Sequence, residues 1–314
     1  MSFLSTAVQT VLDEGQFCAV ATMTPRGPHC TPLVFASSGA RVWLTTSRRS
    51  VKARAWHADP SMAGLVRDAD LGVTFTGTVR TYDALDRRTW AAAVAGATSI
   101  ARATGTFSAK NARFFAGYAV DARQVPLAWT PPGRVFVGVD LERTALVDDS
   151  GVQEGRGRWG GDAGSHPSFR RSKGDDAFER LPAEVADGMG RDGVGALAIA
   201  GERGLVVVPV HWRAELTGLY AALPAETLAL AGAGADADVA LMLDRPSVWR
   251  ARDMVGAMFQ GRASFFVEGD VGSGARSMAQ LAGELSATAT ALVRVVPRRV
   301  VWWRGWSSGS ADVA

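Results

Sequence analysis

The sequence is poor in cysteine: Cys18 and Cys30 are its only two, too few for a disulfide framework. Its four histidines, His29, His57, His166 and His211, are scattered, and no Cys or His pair has the spacing of a zinc site. Lysine is scarce as well. Lys52, Lys110 and Lys173 are the only three, and the formal charge of +3 rests on arginine. The basic residues do not cluster between aromatics, so no nucleic-acid partner is expected. The longest apolar runs, at 204–212 and 287–296, are broken well before the roughly 20 residues of a membrane helix, so no membrane partner is expected either. Met1 to Gly15 has no basic n-region, no purely apolar stretch and no small-residue cleavage site; it reads as an amphipathic helix of a cytoplasmic protein. Dinucleotide, nucleotide-triphosphate and esterase motifs are absent too.

What is present is a composition for folding. Hydrophobic residues make up 47% and charged residues 21% of 314 positions, which excludes extensive disorder and predicts one large domain or two. After the first helix, Phe17 to Met23 and His29 to Phe35 are β-rich runs about the turn signal Thr24-Pro25-Arg26-Gly27. Arg41 to Thr46 alternates as a third strand. Ser47 to His57 is expected as a short helix stopped by Asp59-Pro60, with further strands at Ser61–Arg67, Leu71–Thr78 and Val79–Asp83. An Ala-rich helical stretch follows from Arg87 to about Phe115, closed by Trp129-Thr130-Pro131-Pro132-Gly133, and Val135 to Leu141 returns to strand.

The second half begins as the first does. Gly193 to Ala200 and Leu205 to Trp212 are strands about the turn Gly201-Glu202-Arg203-Gly204. Gly204 precedes Pro209 by the interval that separates Gly27 from Pro32, and Phe75-Thr76-Gly77 is echoed by Phe259-Gln260-Gly261. Internal duplication is the economical reading. The expected fold class is mainly β with short helices: two tandem split β-barrels forming a pseudo-dimer, over 1–150 and 186–314. The Gly-, Asp- and Ser-rich 151–185 would be a flexible linker.

The residues Cys18-Ala19-Val20-Ala21-Thr22-Met23, Gly27-Pro28-His29, Thr31-Pro32-Leu33-Val34-Phe35 and Val42-Trp43-Leu44-Thr45-Thr46 resemble the pyridoxamine 5'-phosphate oxidase-like split β-barrels that bind FMN or coenzyme F-420. The most specific piece is Ser50-Val51-Lys52 with the later Asp59-Pro60, similar to that family's phosphate-gripping turn. The resemblance is best over 1–83 and weaker over 190–300. It implies a cofactor in the cleft between barrels, its ring against Pro32, Leu33, Val34, Thr45 and Thr46. His211, Trp212 and Arg213 would be lent by the second barrel, as the partner subunit lends residues in dimeric relatives.

Independently of the resemblance, Arg48, Arg49, Ser50, Lys52 and Arg54 at a helix start offer charge and converging N–H donors to a phosphate; the same residues also make an ordinary solvated turn. In the second half, a third strand at Glu226 to Ala231 would be followed by acid and no base, Asp236 and Asp238, so that copy is expected to have lost its phosphate site. Arg250 and Arg252 are further phosphate candidates, or surface arginines. Trp302, Trp303 and Trp306 either stack on a ring or pack on their own barrel. Haem is a lesser cofactor candidate, because some split barrels resemble haem-binding proteins that use one histidine or arginine. The expected function is hydride transfer between FMN or F-420 and a small organic substrate, by a monomeric pseudo-dimer or a homodimer. The alternative is a non-catalytic flavin or haem binder, sensor or scaffold.

Overall fold

In the computed structural model, residues 4–121, 123, 133–171, 176–216, 218–247 and 249–313 are described. The turn expected at Trp129 to Pro132 lies outside them. The first helix, α1 (Thr6–Glu14), starts at Ser5, whose hydroxyl accepts from the Val8 N–H, and it buries Val8, Val11 and Leu12 on one face. Then come β1 (Phe17–Thr24), β2 (Gly27–Ser38), β3 (Arg41–Ser47), α2 (Val51–Ala58), β4 (Ser61–Asp68) and β5 (Leu71–Tyr82). The Ala-rich stretch is three helices, α3 (Trp90–Ala95), α4 (Ala97–Lys110) and α5 (Ala112–Val120). The last break falls at Asn111, whose side-chain amide donates to the carbonyls of Phe107 and Phe35 and so ties the helices to β2. The unit closes with β6 (Arg134–Asp148) and β7 (Gly151–Arg156).

The strand order is β3-β2-β1-β4-β5-β6-β7, and β3 also pairs with β6. Six strands therefore form a closed barrel, filled by Val20, Val42, Leu44, Phe75 and Val137. Closure leaves no unpaired edge except the one β7 extends.

The second unit repeats this plan with α6 (Ala183–Met189), β8 (Asp192–Gly201), β9 (Gly204–Glu215), β10 (Gly218–Leu223), α7 (Ala225–Ala229), β11 (Asp236–Arg245), β12 (Val255–Val267), α8 (Ala275–Leu285), β13 (Ala291–Arg304) and β14 (Ser307–Asp312). Its order is β10-β9-β8-β11-β12-β13-β14, with β10 closing on β13. The duplication extends to irregularities. Gly27 and Gly204 open the second strand of each hairpin at φ 96° and 94°, and the ladder shifts register at Thr76/Gly77 and again at Gln260/Gly261. A Cβ on either bulge glycine would strike the facing strand, at the Asp140 or Val296 carbonyl oxygen.

The second copy's third strand is not at Glu226–Ala231. It is β10, and Pro224 turns the chain into α7 immediately afterwards. The N-terminal positions of α2 and α7 then correspond, and Glu226 stands where Lys52 stands in the first copy. Within 151–185, Gly151–Arg156 pairs with β6, and the N–H groups of Gly160, Gly161 and Gly164 donate to the carbonyls of Leu230, Ala229 and Ala233 along the second barrel.

The barrels meet through small residues. Ala19, Ala21, Ala63 and Leu65 pack against Ala196, Ala198, Ala240 and Met242, pairs that occupy equivalent positions in the two copies. Short side chains let the two sheets approach closely. Gln260 of the second barrel donates to the Gly27 and Pro28 carbonyls in the first barrel's hairpin turn. The Arg143 guanidinium of the first reaches the Arg203 carbonyl in the second.

Candidate functional site

A cavity of about 310 Å³ opens where β2, β3 and the start of α2 face the β13–β14 hairpin. Three consecutive residues of β2, Pro32, Leu33 and Val34, form one wall, and Trp302, Trp303 and Trp306 of the other barrel form the opposite side. α5 closes one flank with Phe114 and Tyr118. The Tyr118 ring meets Trp306 edge-on, centroids 5.0 Å apart. This is an apolar and aromatic slot whose two faces come from different barrels.

One end of the slot is polar. Ser50 caps α2, its hydroxyl accepting from the Ala53 N–H at 3.0 Å, and Thr46 donates to the same oxygen at 3.1 Å. Lys52, in the first turn of α2, is turned inward and buried, 4% exposed, with its ammonium donating to the Thr31 hydroxyl. No described carboxylate lies within ion-pair reach of it. Nearby Cys30 supplies no countercharge, because burial pushes its thiol up to about 12. Burial also presses Lys52 down, to about 8. An ammonium buried beside hydroxyls without an anion is an incomplete ion pair, and Thr31, Thr46, Ser47 and Ser50 surround the place an anion would take.

His29 lines the same cavity; burial, Lys52 and Arg299 together push its pKa down to about 3, so at neutral pH it is a neutral imidazole. Arg134 enters from β6 and donates to the Thr45 carbonyl at 2.8 Å and the Thr45 hydroxyl at 3.1 Å. The buried Trp303 indole N–H has no acceptor among the described residues. Among the described residues the lining holds no Asp or Glu.

The sequence-derived site residues divide. Pro32, Leu33, Val34, Thr46, Ser50 and Lys52 come together in the cavity. Thr45 lies behind it, engaged by Arg134. Arg48 points away, its guanidinium bidentate on Asp83 at 2.6 and 2.7 Å, and Arg49 is exposed outside the lining. Trp212 lies in the core of the second barrel, stacked on Phe178 with centroids 5.7 Å apart. His211 pairs with Asp149 and Arg213 with Glu284, while Arg252 lies beside Asp121 and Asp253. Among the residues that sequence reasoning did not place in the site, beside Thr31 and Ser47 of the polar end, are Phe17, Phe114, Tyr118, Arg134 and His29. Phe17, Phe114, Tyr118 and Arg134 carry no local motif and are brought in by helix and barrel closure. His29 had a signal, its place two residues before Thr31 on the same strand face.

The sequence model described as pyridoxamine 5'-phosphate oxidase matches residues 4–125. No curated protein matches the chain. Among solved structures, similarity is found to an FMN-binding protein related to pyridoxamine 5'-phosphate oxidase from Nostoc punctiforme, at 16% identity over 47% of this chain and 86% of that one, TM-score 0.33. A conserved hypothetical protein from Mycobacterium tuberculosis is 22% identical over 46% of this chain and 85% of its own, TM-score 0.33. An F420 reductase is 20% identical over 46% and 98%, TM-score 0.30. The matched segment runs from α1 through α5, so over those elements the first unit is similar to the pyridoxamine 5'-phosphate oxidase family.

Proposed function

We propose that the protein is an oxidoreductase that uses FMN or coenzyme F-420 to move a hydride to or from a small organic substrate. The observation that carries the reading is Lys52: a buried ammonium without a carboxylate, at a capped helix start, at the polar end of an aromatic slot. That arrangement suits a ligand with a phosphate at one end and a flat heterocycle at the other. Lys52 and the hydroxyls of Thr31, Thr46, Ser47 and Ser50 would hold the phosphate. Pro32 to Val34 and the tryptophans of β13 would enclose the ring and exclude water, and the Trp303 N–H would find its missing acceptor there. When bound, the cofactor supplies the hydride chemistry. The described lining offers no carboxylic acid, and His29 stays neutral, so a proton for the substrate would come from solvent or from outside this cavity.

A non-catalytic binder is the second reading, favoured by the second copy, where Glu226 replaces Lys52. Titration of the apo protein with FMN, F-420 and haem in parallel, followed by anaerobic reduction and exposure to a quinone, separates the readings. Tight FMN or F-420 binding with repeated reoxidation supports the oxidoreductase. Binding without turnover supports the binder, and no binding of FMN or F-420 refutes both flavin readings.

A further inference from the structure

A second concavity, of about 340 Å³, lies where the two barrels meet, and the cofactor reading makes no use of it. Ala19 and Leu65 from one barrel and Ala196 and Met242 from the other line it, so it straddles the pseudo-twofold axis. Phe17 and Pro32 line both this groove and the proposed cofactor cavity. They form the partition between the two.

The groove carries opposite charges at equivalent positions. Leu65 pairs with Ala19 as Met242 pairs with Ala196, so Arg67, two residues on in β4, corresponds to Asp244, two residues on in β11. Both line the groove. They influence one another electrostatically yet form no ion pair, and no described residue donates a hydrogen bond to the Asp244 carboxylate. Asp244 lies deep enough that burial lifts its carboxyl to about 6 despite Arg67 and Arg245. The Asp244 carboxylate and the Arg67 guanidinium, which also feels Asp149 and Asp70, line the same space with Asp68, and neither the Asp244 nor the Arg67 side chain has a hydrogen-bond or ion-pair partner among the described residues.

We propose that this groove binds a small zwitterion, its protonated amine on Asp244 and its carboxylate on Arg67, with its body toward the Phe17–Pro32 partition, as the substrate entry to the cofactor cavity. Binding of the zwitterion stands on the groove alone. Its being the substrate rests on the oxidoreductase reading.

Isothermal titration of the intact protein with 4-(aminomethyl)benzoate, with benzylamine and benzoate as single-charge probes, tests the assignment. The zwitterion is expected to bind more tightly than either single-charge probe. Asp244→Asn and Arg67→Gln should each weaken it by about 10- to 100-fold, the range of one charged hydrogen bond. Asp244→Asn should weaken benzylamine and spare benzoate, and Arg67→Gln the reverse. Both variants should keep wild-type thermal midpoints or better, and wild-type FMN affinity. Zwitterion binding that is absent, or indifferent to both substitutions, overturns the proposal. Loss of FMN affinity in step with zwitterion affinity also overturns it, since the two spaces would then be one site. If the zwitterion binds as described and wild type takes neither FMN nor F-420, the groove stands and the cofactor reading falls.

Discussion

Replacing Lys52 by methionine should make the apo protein more stable and a worse binder of phosphate. The side chain is buried, and its pKa falls from 10.5 to about 8 because burial disfavours the charged form. That difference corresponds to about 3 kcal/mol against the ammonium. Methionine keeps most of the volume and removes the charge, while losing the bond to Thr31, worth about 1 kcal/mol. The net expectation is a gain of about 1–3 kcal/mol at pH 7, or a rise of roughly 2–4 °C in the midpoint per kcal/mol. The pH dependence fixes the sign. Below pH 8 both folded and unfolded lysine are protonated and the full penalty is present. Between about 8 and 10.5 the unfolded chain binds more protons, so wild-type stability rises with pH and approaches that of the variant. Differential scanning calorimetry of the apo forms at pH 7 and pH 10 measures this, and FMN titration should show an affinity lower by about 10- to 100-fold. A variant less stable than wild type at pH 7, or one that binds FMN equally well, would refute the argument that Lys52 is an uncompensated cation awaiting an anion.

Other consequences can be measured in the same way. Asp244 has its folded pKa raised from 3.8 to about 6, so the folded state holds the extra proton in that window and wild-type stability falls as pH rises through it. Asp244→Asn should be nearly neutral at pH 4 and, after solvent screening, more stable by about 1–2 kcal/mol above pH 6 in urea titrations. Gly77→Ala drives a Cβ into the Asp140 carbonyl at the β5–β6 bulge and should cost about 1–3 kcal/mol or more; a thermal midpoint equal to wild type would show that the bulge relaxes freely. Arg48→Ala strands the buried Asp83 carboxylate and should cost about 1–3 kcal/mol of stability, while FMN affinity stays within about twofold by titration because the guanidinium points away from the cavity.

The unequal legibility of the site follows from how each residue reaches it. Pro32 to Val34 and Thr46 to Lys52 lie on one hairpin and the strand-to-helix turn after it, and local patterning places such residues because their neighbours in space are their neighbours in sequence. Arg48 and Lys52 show the limit: both are basic and next to the same cap, yet the 3-residue bridge into α2 directs one guanidinium to Asp83 and the ammonium to Thr31, a choice made by side chains 35 and 21 positions away. The second barrel was harder still. Its repeat is visible in Gly204 and Pro209, but β10 is short and Pro224 caps α7 directly after it, so the counterpart of Lys52 lies earlier than strand patterning places it, and the reversal to Glu226 emerges only from the aligned helix starts. Duplication followed by divergence explains why this matters. In a pair of identical barrels the two slots and the groove between them would be symmetric; here Lys52 has Glu226 as its counterpart, the β13–β14 turn with Trp306 has the acidic turn at Asp148 and Asp149, and Arg67 has Asp244. The first two differences favour a single slot built from both halves and the third polarises the groove between the barrels, and none can be read without the register that pairs the two copies.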